Sequence, residues 1–93
     1  MSNSAAGYRL SPSASFRDLG DEGIILMADT GQLYSTNQSG SIFIQNLQDG
    51  NKWDQAFENM IAEFDVERDT LENDLNELVT YLISEAVLVP ADD

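Results

Sequence analysis

Ninety-three residues hold one domain and one core, with 42% hydrophobic residues to build it. Seventeen acids against four bases give a net charge of −13, which repels free nucleic acid because phosphate binding needs clustered Lys and Arg. The absence of cysteine and histidine excludes a disulfide framework, a thiolate ligand and an imidazole ligand.

Residues 1–7 are small and polar and are expected to form a disordered tail. They lack the basic region and apolar block of a signal peptide, so a cytoplasmic location is expected. Tyr8 to Ser13 carries Pro12 and reads as extended. Ser15-Phe16-Arg17-Asp18-Leu19 alternates apolar and polar, as a half-buried strand does. Gly20-Asp21-Glu22-Gly23 reads as a turn, and Ile24 to Ala28 as a second strand. Asp29-Thr30-Gly31 closes a three-residue hairpin in which Gly31 takes positive φ. Gln32 to Thr36 is the third strand, with Leu33 and Ser35 on one face and Gln32, Tyr34 and Thr36 on the other.

Asn37 is a good N-cap for the first helix, since its side-chain oxygen accepts an orphan N–H of the first turn. Ile42, Phe43 and Leu47 form the buried stripe with Ile44 beside it, and Gly50 supplies a left-handed residue after the last turn. Trp53, Phe57, Met60, Ile61 and Phe64 then recur at helical spacing, with Trp53 as a core anchor. Asp65-Val66 breaks that helix. Leu71, Leu75, Leu78, Val79, Leu82, Ile83 and Ala86 repeat the period in a third helix. Val87 to Val89 run extended, and residues 90–93 form an acidic tail. The longest apolar runs, Ile24–Ala28 and Ala86–Val89, fall far short of the ~20 residues that span a bilayer. No membrane partner is expected.

The order predicts an α+β domain over residues 8–89, a three-stranded antiparallel sheet followed by three helices. The second and third helices resemble a helix-turn-helix, and the β-ribbon is its wing. A winged-helix-like arrangement is a statement about fold only.

Thr30-Gly31, Tyr34, Asn37, Ser39-Gly40, Asp49-Gly50, Glu63-Phe64-Asp65-Val66 and Asp74-Leu75 with Leu78 and Leu82 follow one another in a characteristic order and spacing. On these residues the chain resembles the PqqD-like peptide chaperones, the recognition elements that bind precursor leader peptides in ribosomal natural-product pathways. The resemblance covers about Phe16 to Val89. Two positions depart from it. Thr36 stands where the family usually has Leu, which weakens one core contact. Val87 stands where the third helix usually ends in Gly, so the same left-handed exit is not expected.

The resemblance implies that a leader peptide pairs with the third strand and lies between it and the third helix. Physics points the same way, because unpaired N–H and C=O groups at a sheet edge accept another strand. Leu33, Tyr34, Ser35 and Thr36 are the candidates for the edge. Leu71, Asp74, Leu75, Leu78 and Tyr81 are the candidates for the groove wall, although Leu71, Leu75 and Leu78 also fall on the core stripe. Glu67, Asp69, Glu72, Asp74 and Glu77 crowd the third helix and are suited to meet Lys or Arg of a peptide. The expected partners are the precursor leader peptide and a modifying enzyme, such as a radical-SAM protein or a leader peptidase.

Three other readings are weaker. Without His or Cys no serine has a base to activate it, so no enzyme is expected and no catalytic residue is assigned. The acids lack EF-hand spacing, so no metal or cofactor is expected. A winged-helix DNA-binding regulator needs a basic recognition helix, whereas Glu67, Asp69, Glu72, Asp74, Glu77 and Glu85 here accompany a lone Arg68. An acidic adaptor that docks on a partner enzyme without holding a peptide fits the same composition.

Overall fold

A computed structural model describes residues 7–90. The expected tails at 1–7 and 90–93 lie outside the described residues except for Gly7 and Pro90. Five strands and three helices follow in order: β1 (Tyr8–Leu10), β2 (Ala14–Asp18), β3 (Glu22–Met27), β4 (Leu33–Asn37), α1 (Gln38–Gln48), α2 (Trp53–Glu63), α3 (Arg68–Ser84) and β5 (Leu88–Pro90). The three-stranded antiparallel sheet has the order β2-β3-β4, and three helices follow it as expected. Among the described residues, no helix is long and apolar enough to cross a membrane.

Turn chemistry sets the local structure. Asn37 caps α1 by accepting the Gly40 N–H at 2.9 Å. Gly50 leaves the helix at φ 95°, and the N–H groups of Gly50 and Asn51 return to the Leu47 and Asn46 carbonyls at 3.0 Å each. That paired closure is the Schellman arrangement, which satisfies carbonyls the helix end would otherwise orphan. Gly31 takes φ 77° in the β3–β4 turn, and its N–H reaches the Met27 carbonyl at 2.7 Å.

Period-2 alternation makes one sheet face apolar. Ile25 and Met27 point inward and are buried with Phe43, Ile44 and Leu47 of α1. Ile44, not Ile42, completes the buried stripe of α1; Ile42 packs at its margin. Trp53 is buried as expected and stacks on Phe57, with centroids 5.2 Å apart and planes 12° from parallel. Arg68 lies over the other ring of that stack, 5.0 Å from the Phe57 centroid. It also pairs with Glu58 at 2.6 Å, which holds the Glu58 carboxyl below its usual range.

Four sequence expectations change. The extended segments at the two ends pair as a second sheet, Tyr8↔Pro90 to Leu10↔Leu88, so Pro90 belongs to a strand edge. Gly23 is not in a turn but inside β3, opposite Thr36. A Cβ there would overlap Ser41 Oγ and come within 2.7 Å of Phe16 Cε1, so the position needs glycine for close packing. Thr36 does not leave a weak spot, because its hydroxyl pairs with Ser41 Oγ at 2.9 Å in the buried space over Gly23. Finally, α3 does exit through a left-handed residue, one position earlier than the family pattern: Ala86 has φ 62°. Ala86 and Val87 donate to the Ile83 and Leu82 carbonyls at 3.0 and 2.9 Å, which buries Val87 in the core.

Candidate functional site

Among the described residues, β4 pairs with another strand on one side only. Its register with β3 pairs Ile25 with Tyr34 and Gly23 with Thr36, and Met27 donates to the Gln32 carbonyl at 2.9 Å. On the other side of β3, Ala28 donates to the Ser13 carbonyl at 2.8 Å. Antiparallel ladders alternate the direction of their backbone groups along each strand. Gln32, Tyr34 and Thr36 therefore serve β3, while the N–H and C=O groups of Leu33 and Ser35 and the N–H of Asn37 face the open edge; the Asn37 carbonyl, at the N-cap, belongs to the first turn of α1. Among the described residues no strand occupies that edge.

Beyond the edge stands α3, and a groove of about 420 Å³ separates the two. Ser35, Thr36 and Asn37 line it from β4, with Ser39 and Gly40 from the start of α1. Asp74, Leu75, Glu77 and Leu78 line it from α3. Gly40 lets these elements meet, since a Cβ there would lie 3.0 Å from Thr36 Cβ and 3.3 Å from Leu78 Cδ2.

One end of the groove is bridged. The Tyr34 ring meets Tyr81 edge-on, with centroids 6.1 Å apart at 73°. Its hydroxyl donates to Glu85 Oε1 at 3.0 Å and sits 2.7 Å from Gln32 Oε1. Partial desolvation, followed by the bond to the Glu85 carboxylate and its negative charge, raises the Tyr34 phenol above its ordinary value.

The nine expected site residues divide accordingly. Ser35, Thr36, Asp74, Leu75 and Leu78 come together in the groove. Tyr34 and Tyr81 form its bridged end. Leu33 offers its backbone to the edge, while its side chain is 66% exposed on the outer sheet face. Leu71 is not in the groove wall. It is buried with Leu75, Val79 and Leu82 on the inward stripe of α3, but only Leu75 of that stripe also lines the groove. The sequence did not place Asn37, Ser39 or Gly40 in the groove, since Asn37 reads as a helix cap and all three as part of the family pattern; it named Glu77 among the acids suited to a basic peptide but not as a groove residue. The available signal was the spacing of Asp74 and Glu77, three apart and so on one helix face.

The family model for coenzyme PQQ synthesis protein D (PqqD) matches residues 22–88. The chain belongs to the PqqD family. Two solved structures share its fold. One, TbiB1 in complex with the TbiA(beta) leader peptide, is 25% identical with a TM-score of 0.80, covering 91% of this chain and 99% of its own. The other, a lasso peptide synthetase B1 complexed with its leader peptide, is 27% identical with a TM-score of 0.79, covering 91% of this chain and 100% of its own. No curated protein sequence matches the chain. The PqqD match begins at the first residue of β3 and ends at the first of β5, so it includes β4, α3 and every residue lining the groove.

Proposed function

We propose that this PqqD-family protein is a non-catalytic peptide chaperone. It takes the leader segment of a ribosomally made precursor peptide as an added strand on β4 and presents it to a modifying enzyme. One observation carries the reading: an unpaired β4 edge runs along a groove whose other wall is α3. The two solved relatives, both complexes with leader peptides, support it, and one of them is a lasso peptide synthetase B1.

Backbone pairing at Leu33, Ser35 and Asn37 supplies affinity with little sequence preference, and the groove supplies selectivity. Tyr34, Thr36, Asp74, Leu75, Leu78 and Tyr81 are the side chains that meet the guest, while Leu71 holds α3 on the core. Residues 8–89 act as one unit in the cytoplasm, where precursor peptides are made. A chain without histidine or cysteine leaves its serines without a base, which supports presentation over chemistry.

A peptide burying about 1,200–1,600 Å² and ordering as it binds falls between micromolar and tens of nanomolar Kd. Isothermal titration against leader peptides encoded beside the gene tests this. Saturable heat in that range is expected. No heat at high micromolar protein sinks the proposal.

A further inference from the structure

We propose that the groove selects a lysine or arginine at the peptide position lying beside Thr36. This rests on the strand-addition reading and adds a position and a side-chain class to it. Neighbouring strands in register project side chains to the same face, whichever way the guest runs. Guest residues beside Leu33 and Ser35 therefore point to the outer face. The residue beside Thr36, whose side chain faces inward and is buried, points into the 420 Å³ groove. The next inward position lies beside Tyr34, which reaches across to Tyr81 and Glu85 and is not among the residues lining this groove. The open compartment thus receives one inward side chain.

Its lining states what that side chain is. Leu75 is buried and Leu78 half-buried, giving an apolar floor, while Asp74 and Glu77 are exposed at the mouth. Among the residues lining the groove none is basic. A short apolar guest would cover the two carboxylates without compensating them, and an acidic guest would be repelled. A lysine or arginine matches both layers, laying its methylene stem on the leucines and its charged head between the carboxylates. The overall charge of −13 attracts any cationic peptide but is indifferent to position. Only the groove imposes a register.

The test selects binders from a displayed library of random short peptides on the wild-type protein. Lys or Arg should be enriched at one position, and replacing that residue by norleucine should weaken binding about fivefold. Asp74→Asn/Glu77→Gln should lose the same factor for the cationic peptide and almost nothing for the norleucine one. Glu63→Gln/Asp65→Asn, which removes equal charge away from the groove, should change neither, and circular dichroism melts check that all variants fold. Binders without a positional cation preference, or an equal loss in the remote-charge variant, overturn this inference and leave strand addition standing. A library that yields no binder, or binders indifferent to Ser35→Pro, overturns strand addition itself.

Discussion

Ser35→Pro separates the edge from every other surface of the molecule. The ladder directs the Ser35 N–H and C=O away from β3, since its neighbours Tyr34 and Thr36 pair with Ile25 and Gly23. Proline removes that N–H and puts its ring where the guest backbone must come within ~4.8 Å. Both bonds of the pair centred on Ser35 are then lost. At about 1 kcal/mol net for each, the loss is about 2 kcal/mol, or roughly thirtyfold in Kd. No bond inside the protein is broken, and proline is tolerated on an edge strand when its missing N–H faced solvent. The melting temperature should therefore move by only a few degrees. Ser35→Ala keeps the N–H and should bind like the parent. Thr36→Pro loses a bond to β3 and should unfold the sheet. Isothermal titration against a leader peptide, with melting followed by circular dichroism, reads all three. Ser35→Pro binding as tightly as the parent would refute pairing at β4.

Gly23→Ala should destabilise the fold by about 3 kcal/mol, because the new methyl meets Ser41 Oγ, Phe16 and Thr36 at once; urea denaturation measures it, and parental stability would contradict the packing described. Ala86→Gly should do the reverse. Relief of a left-handed alanine, less the added freedom of the unfolded chain, leaves a gain of about 0.5–1 kcal/mol, and a lower urea midpoint would count against the left-handed exit of α3. Glu85→Gln should bring the Tyr34 phenol back down toward its ordinary value, as its charge and its proton acceptor weaken. Ultraviolet titration of wild type and variant reads this directly. The Tyr34–Glu85 bond contributes stability that is complete below the unfolded tyrosine value of about 10 and is lost as pH rises through the raised folded value. Unchanged tyrosine titration in Glu85→Gln would place the hydroxyl elsewhere.

The sequence by itself determined what depends on near neighbours. Asn37 caps α1, Gly50 ends it and Gly31 turns the hairpin, because each acts on backbone groups within a few residues. Amphipathic spacing located the three helices for the same reason, since i, i+4 neighbours share a face. The order of elements, with its family pattern, pointed to β4 and α3 as the two walls of a groove.

Contacts between distant segments were decided only by the tertiary structure. Three-residue strands such as β1 and β5 carry no pattern of their own and pair only because the folded core brings the chain ends together. Gly23 looks like turn punctuation until Ser41 and Phe16 arrive above it. Leu71 and Leu78 share one helical period in the sequence, yet one is sealed in the core and the other lines the groove. Periodicity gives the direction of a side chain around a helix axis but not what stands opposite it. A three-stranded sheet has two edges in any sequence reading, and it is the packing of α3 that sets a groove beside β4.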